Sequence, residues 1–199
     1  MAATITRFSD LDLSKSYTYA DYLSWQFSEM VELIKGKVVK MSPAPGSFHQ
    51  TVSLNLSIIL GKRLKKSPCR LFAAPLDVRL IRKGKNDDDD QIITVVQPDL
   101  FMVCDASKID EKGCLGSPDL VIEILSPSSV NQDLKVKYEI YQEAGIGEYW
   151  VVFPGERVVE IFLLEKGKYQ LAGHYTSESE IPVHSVPGFS IPGSEVFEW

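Results

Sequence analysis

The sequence predicts a mixed α/β fold, of the α+β kind, in which a central mixed sheet is flanked by helices. Three observations predict it. Apolar runs typical of strands alternate with segments whose apolar residues recur at helical spacing. Their order through the middle of the chain is helix, strand, strand, strand, helix, strand. The 199 residues are 44% hydrophobic and 24% charged, which suits one domain with a sizeable core over residues 1–199.

The N-terminal elements follow a polar arm over residues 1–17. Thr18 and Asp21 form a capping-box pattern, with Asp in place of the usual Glu or Gln, and predict a short helix over 18–27. Lys35-Gly36 separates two apolar runs, which predicts a β-hairpin. Ser47 is expected to cap a helix over 47–66, whose apolar residues at helical spacing are Val52, Leu56, Ile59, Leu60 and Leu64.

The central elements are three strands and a helix. Alternating and apolar runs predict strands over 70–81, 92–104 and 119–125. A helix over 131–144 follows, and Gly145 is expected to close it.

The C-terminal third begins with an apolar strand over 148–153. Gly167 centres a predicted hairpin of residues 157–164 with 168–175. Residues 178–199 are rich in Pro, Gly and Ser, and we expect them to pack irregularly against the domain.

Composition limits the classes of function. The net charge of −6 provides no general attraction to polyanions, so any nucleic-acid contact must come from a local basic face. Three cysteines are too few for a disulfide framework, and none has zinc-site spacing, which favours a reducing cytosol. The N-terminus resembles no signal peptide, and no apolar run is long enough to span a membrane. We therefore expect a cytoplasmic protein with no membrane association.

Two Pro-Asp dipeptides open two apolar runs, and Glu123 lies inside the second run. An unpaired charge there costs several kcal/mol, so such a carboxylate usually has a metal ion, a cation or a catalytic task. If the three middle strands form an antiparallel meander, Asp99 and Glu123 meet at the same end of the sheet. Asp119 falls at the opposite end and is the poorer candidate. Asp99 and Glu123 are therefore candidate metal ligands; the alternative is a buried ion pair and a strand cap.

These residues resemble a known family. The resemblance is to the Uma-type restriction endonucleases, a branch of the PD-(D/E)XK nuclease superfamily with the restriction-endonuclease-like fold, and covers about Thr18 to Phe153. It rests on a set of segments that is far more specific than a bare Pro-Asp: Val31-Glu32-Leu-Ile-Lys-Gly36, His49-Gln50, Pro75-Leu-Asp77-Val, Gln97-Pro-Asp99-Leu, Pro118-Asp-Leu-Val-Ile-Glu123-Ile-Leu-Ser-Pro-Ser128, Asp133-Leu-x-x-Lys137 and Glu148-Tyr-Trp150.

The resemblance implies a metal site and its ligands. Asp99, Glu123 and the backbone carbonyl of Ile124 would bind Mg²⁺, with Mn²⁺ as a possible substitute. The superfamily places a lysine two residues after the second acid, but this chain has Leu125 there. In relatives of this kind the lysine can come from the following helix, where Lys137 matches the branch and Lys135 is the second candidate.

Three further residues are possible neighbours of that site: Glu32, His49 and Asp77. Each also has an ordinary interpretation. Glu32 can be a surface charge of the hairpin, and His49 a residue of a helix start. Asp77 faces either the cleft or water, because it alternates with Leu76 and Val78. In the same way, Lys137 can form a plain i, i+4 ion pair with Asp133.

The resulting hypothesis is a magnesium-dependent endonuclease that hydrolyses phosphodiester bonds of DNA. The alternative is a catalytically degenerate module of the same fold that acts in nucleic-acid binding or assembly. We also expect a homodimer, because a double-strand cutter with one site per chain needs two copies. The aromatic residues Phe197 and Trp199 are candidate interface groups, although the same segment can fold back on its own domain.

Overall fold

A computed structural model of the protein describes residues 5–41, 46–82, 84, 86–126 and 132–199. Its strands, in chain order, are β1 (Val31–Ile34), β2 (Lys37–Lys40), β3 (Arg70–Ala73), β4 (Val78–Arg79), β5 (Val95–Val96), β6 (Leu100–Val103), β7 (Ile109–Asp110), β8 (Gly113–Leu115), β9 (Leu120–Ile124), β10 (Glu148–Phe153), β11 (Val158–Glu165), β12 (Lys168–Thr176), β13 (Glu180–Pro182) and β14 (Ser190–Pro192). Its α-helices are α1 (Tyr19–Tyr22), α2 (Ser47–Leu64), α3 (Gln132–Ala144) and α4 (Gly193–Val196). None of the helices in these ranges is both long and apolar enough to cross a membrane.

The central sheet has six strands in the order β12-β11-β10-β9-β6-β3. Strands β3, β6 and β9 form the predicted antiparallel meander. Strand β10 pairs in parallel with β9, and α3 lies in the connection between them, as a parallel pair requires. The mixed α/β class and the central mixed sheet are confirmed.

A second six-stranded sheet, in the order β2-β1-β5-β4-β8-β7, was not expected. Two predicted strands were wrong as continuous elements, because each is divided between the two sheets. Residues 70–81 form β3 and β4 on either side of a cis peptide bond at Ala74-Pro75. Residues 92–104 form β5 and β6, with Pro98 between them. Proline cannot donate a hydrogen bond to a neighbouring strand, and each of the two interruptions contains a proline, Pro75 or Pro98.

The core lies on both faces of the central sheet. One face packs against α2 and the C-terminal segment, and the other against α3 and the second sheet. Alternate residues of β6 accordingly enter opposite layers: Leu100 and Met102 contact the α2 side, whereas Phe101 and Val103 contact the other. This burial on both faces explains the near-continuous apolar runs of the sequence.

The observed ends of the helices agree only in part with those predicted from the sequence. The capping box of Thr18 and Asp21 is present, but α1 ends at Tyr22 and not near residue 27. The Ser47 cap was wrong: Gly46 occupies the N-cap position and Ser47 is the first helical residue. Gly145 closes α3 as predicted, with φ of 82° and its N–H donating to the Tyr141 carbonyl.

The described parts of both terminal segments are hydrogen-bonded to the rest of the domain or packed against it. Within the arm, Tyr17 N–H donates to the Gly36 carbonyl and Lys37 Nζ donates to the Ser14 carbonyl. Residues 178–199 form the β13–β14 hairpin and α4, so the prediction of irregular packing was wrong. Their buried apolar side chains are Ile181, Val183, Ile191, Val196 and Phe197. The burial of Phe197 removes it from the candidate dimer contacts.

Cys69 and Cys104 form a disulfide between the residue before β3 and the residue after β6. The sequence argument from cysteine number did not foresee this single disulfide, so the cysteines no longer support a reducing compartment. Pairing of β3 with β6 brings together two residues that are 35 positions apart, which cysteine spacing alone does not indicate.

Candidate active site

The two acids of the sequence hypothesis meet at one end of the central sheet. Leu100 of β6 pairs with Ile122 of β9, so Asp99 and Glu123 are opposite each other. Asp99 Oδ2 accepts a hydrogen bond of 2.7 Å from Ile124 N–H, which fixes the carboxylate beside the last residue of β9. Two antiparallel strands therefore place both carboxylates and the Ile124 peptide group together.

Asp119 lies at the other end of the same strand pair. Its Oδ2 accepts a hydrogen bond of 2.7 Å from Cys104 N–H, the counterpart of the Asp99 contact. This carboxylate caps the strand end and does not belong to the Asp99–Glu123 cluster.

Lys137 of α3 reaches the cluster from the helix. Its Nζ lies 3.2 Å from Glu123 Oε1 and 2.6 Å from Glu32 Oε1. Burial favours the neutral amine, but the charges of Glu123 and Glu32 outweigh it and raise the pKa of Lys137. The lysine is therefore held as a cation, with little solvent access, between acids from two different sheets.

Glu123 is the residue of this group whose ionised form has the least favourable surroundings. Burial raises the pKa of its carboxyl group to about 7, with the charges of Asp99 and Glu32 adding to the effect and Lys137 opposing it. Three carboxylates thus share a space with one lysine. This excess of negative charge is the electrostatic setting in which a bound cation is stabilising.

Tyr141 is a site residue that the sequence reasoning missed. Its hydroxyl donates a hydrogen bond to Glu123 Oε1, the same oxygen that contacts Lys137. Burial and the Glu123 charge raise its pKa well above the ordinary value, so the phenol remains a donor. The signal was available, because Tyr141 follows Lys137 at i+4 and shares its helix face.

His49 lies in the first turn of α2, and its Nε2 is 3.2 Å from Asp99 Oδ1. Burial lowers the pKa of the imidazole, but the hydrogen bond and charge of Asp99 outweigh it and give a net increase. Its Nδ1 is buried without a partner among the described residues. His49 therefore orients the carboxylate of Asp99, opposite the contact from Ile124.

Asp77 faces the protein and not water. It accepts hydrogen bonds from Gln97 Nε2 at 2.8 Å, Tyr19 OH at 3.3 Å and Tyr22 OH at 3.4 Å. Gln97 also donates its backbone N–H to Glu32 Oε1 at 2.9 Å. Asp77 is thus one residue removed from the charged cluster and supports it through Gln97.

Lys135 does not join the cluster. It is exposed and lines a different groove, of about 380 Å³, with α3 on one side and strands β10 and β11 on the other. Of the two candidate lysines, only Lys137 contacts the acids in the structure.

The residues present suit a hard divalent cation by their chemistry. Asp99, Glu123 and the Ile124 carbonyl provide the oxygen donors that Mg²⁺ and Mn²⁺ prefer. Among the described residues, however, no group of three or more His, Cys, Asp and Glu side chains is arranged as a metal site. The fit therefore depends on two carboxylates supplemented by backbone oxygen and on the excess negative charge around them.

Comparison with known proteins gives two findings. A family model described as Uma2, "Putative restriction endonuclease", matches residues 19–194. A crystal structure described as a "putative nuclease belonging to DUF820" from Anabaena variabilis ATCC 29413 aligns with a TM-score of 0.68 and 19% sequence identity, covering 92% of this chain and 98% of that one. No curated protein matches significantly.

Proposed function

The chain belongs to the Uma2 family of restriction-endonuclease-like proteins, and from this premise we propose that it is a magnesium-dependent endonuclease that hydrolyses phosphodiester bonds of DNA. The family description supports a nuclease, and the similar crystal structure supports the fold. The magnesium ion, the DNA substrate and the role of each residue are part of the proposal.

The position of Lys137 is the main structural observation that supports the proposed nuclease function. The superfamily motif expects a lysine two residues after the second acid, where this chain has the buried Leu125. Lys137 Nζ comes from α3 instead and lies 3.2 Å from Glu123 Oε1. The chain thus has a carboxylate pair and a neighbouring ammonium group, although the linear motif is incomplete.

The proposed roles follow from these contacts. Asp99, Glu123 and the Ile124 carbonyl hold the cation, and His49 keeps the Asp99 carboxylate oriented. A divalent ion held there would supply Lewis acidity to activate a water and positive charge to neutralise the scissile phosphate. Lys137 orients the attacking water or stabilises charge on the phosphate oxygens, and Glu32 holds its ammonium group in place.

The test is cleavage by the purified protein. With Mg²⁺ or Mn²⁺, we expect conversion of supercoiled plasmid to nicked or linear forms and cleavage of DNA oligonucleotides. Lys137→Gln should lower the rate about a hundredfold to a thousandfold, the usual cost of removing a charge-stabilising donor. Lys135→Gln is the matched control, because it removes a lysine from the same helix without touching the cluster.

Two outcomes would contradict the proposal. One is intact plasmid and DNA oligonucleotides with either metal. The other is equal activity of the Lys137→Gln and wild-type proteins. If calorimetric titration also showed no saturable binding of Mg²⁺ or Mn²⁺, the degenerate binding or assembly module would be the better description. RNA oligonucleotides in the same assay would decide between the two nucleic acids.

The cytoplasmic location and the homodimer remain predictions. Cell fractionation tests the first. The second needs a surface other than the buried Phe197.

A further inference from the structure

The outer face of α2 carries apolar residues where solvent contact is greatest. Leu54 is 60% exposed and Ile58 is 56% exposed. They are one helical turn apart, on the exposed line that also contains Gln50 and Lys62. The opposite side of α2 already packs into the core, so the hydrophobic contacts of the fold do not require this second stripe.

The residues that flank this stripe have small or flat side chains. The Ser57 hydroxyl donates a hydrogen bond of 2.7 Å to the Ser53 carbonyl, and the space beside Gly61 is open, because a Cβ atom there would have no neighbour within 4 Å. At the other end, the 77% exposed Trp199 packs edge-on against Phe48. We name Gln50, Leu54, Ile58 and Lys62, with these flanking residues, the α2 face. Its small flanks allow another helix to approach closely.

The charges around the α2 face are divided between its two ends. The C-terminal end of the helix carries the exposed cations Lys62, Lys65 and Lys66. The C-terminal segment lies beside the N-terminal half, because Trp199 packs against Phe48 and Asn55 Nδ2, at the middle of the helix, donates to the carbonyls of Val196 and Glu198. That segment brings the exposed side chains of Glu195 and Glu198. An apolar centre therefore separates an acidic end from a basic end.

We propose that the α2 face binds the α2 face of a second copy, with the two helices antiparallel about a twofold axis between Leu54 and Ile58. A twofold contact uses the same surface twice, so that surface must be complementary to itself. In the antiparallel arrangement the basic end of each copy meets the acidic end of the other, and Leu54 of one copy meets Ile58 of its partner. A parallel arrangement would bring like charges together. The contact uses no residue of the candidate active site and does not depend on the proposed function.

The first experiment measures mass in solution. By light scattering at micromolar concentration, the wild-type chain should have twice its mass of 22.3 kDa. Leu54→Glu with Ile58→Glu should return it to the single-chain mass, because two carboxylates from each copy at the centre of the contact raise Kd about a hundredfold or more. Leu171→Glu is the matched control: Leu171 is 47% exposed on β12, away from α2, and its change should leave the dimer intact. Circular dichroism and thermal melting check that all variants are folded.

The second experiment tests the orientation by charge. Lys62→Glu with Lys65→Glu makes both ends acidic, and Glu195→Lys with Glu198→Lys makes both ends basic. Each variant alone should be weakened in self-association, and their mixture should form the mixed dimer. A wild-type monomer at micromolar concentration would overturn the proposal. So would a dimer that survives Leu54→Glu with Ile58→Glu, a dimer equally lost in Leu171→Glu, or charge variants that associate like the wild type.

Discussion

A fully buried and a mostly buried glutamate, on neighbouring strands of the central sheet, have opposite surroundings. Glu148, at the start of β10, is enclosed by neutral donors. Its Oε1 accepts from Trp150 Nε1 at 2.7 Å and from His184 N–H at 3.1 Å, and its Oε2 accepts from the backbone N–H and hydroxyl of Ser185, each at 2.6 Å. Glu123, near the end of β9, faces Lys137 and Tyr141 but also the charges of Asp99 and Glu32.

The difference separates a structural carboxylate from a candidate functional one. The side chain of Glu148 has every oxygen satisfied and is sealed from water, with 1% of the residue exposed. Glu123 keeps 14% of its side chain exposed, and burial together with the like charges of Asp99 and Glu32 raises its pKa to about 7. A buried acid is therefore informative about function only when its neighbours are known.

The largest expected effect tests the functional half of this comparison. Glu123→Gln keeps the shape but removes a carboxylate from the proposed cation site, so nuclease activity should fall about a thousandfold or more. The same change should not lower the thermal midpoint of the metal-free protein, because it removes charge repulsion. Plasmid-nicking kinetics and thermal melting measure the two effects. Activity of Glu123→Gln near the wild-type rate would place Glu123 with Glu148 as a structural residue.

The next effect tests the structural half. Glu148→Ala leaves the indole and the Ser185 donors buried without an acceptor, so the free energy of unfolding should fall by about 3–5 kcal/mol. Urea denaturation measures it. Glu156→Ala, an exposed acid in the β10–β11 turn, is the control and should change stability by less than about 0.5 kcal/mol. Equal stability of the two variants would show that the Glu148 hydrogen bonds are not needed.

The pH dependence of stability sharpens the comparison further. Because the carboxyl pKa of Glu123 is raised to about 7 in the folded protein, the native state binds more protons than the unfolded state between that pH and the ordinary value of 4.5. Stability of the metal-free protein should therefore rise as pH falls from about 7 to about 5, by at most about 3 kcal/mol from this group. Glu123→Gln should remove that gain in urea titrations. An unchanged slope would show that Glu123 titrates normally.

The smallest effect concerns Tyr141. Its hydrogen bond to Glu123 favours the ionised carboxylate, so Tyr141→Phe should raise the pKa of Glu123 further. We expect a rate loss of about three- to tenfold, which corresponds to one ordinary hydrogen bond of about 0.5–1.5 kcal/mol, and the loss should be greater at pH 6 than at pH 8. A pH–rate profile measures it. An equal loss at both pH values would mean that Tyr141 acts only in packing.

Much of the fold could be predicted because local signals agreed with the final packing. The capping box at Thr18, the hairpin around Lys35-Gly36 and the apolar runs of β9 and β10 are local features, and each is present. The second sheet was missed because apolar runs show that strands are buried, but not in which sheet they lie. The divisions of residues 70–81 and 92–104 were marked only by Pro75 and Pro98.

The candidate site shows the same limit. Asp99 and Glu123 could be paired from strand order, and the structure places them together. Lys137 was named through the family pattern, but its contact with Glu32 joins residues 105 positions apart and has no local signal. Glu148 was overlooked as a buried acid because its donors, including His184 and Ser185, come from a distant segment.

The contact of Lys137 with two acids also means that the site forms only after both sheets have folded and docked. Glu32 belongs to β1 of the second sheet, whereas Glu123 belongs to β9 of the central sheet, and Lys137 contacts both. A chain whose sheets have not yet docked contains all these residues but not their arrangement. If the cluster is the catalytic site, the enzyme becomes active only when the two sheets have joined, and a newly made or partly unfolded copy cannot damage nucleic acid.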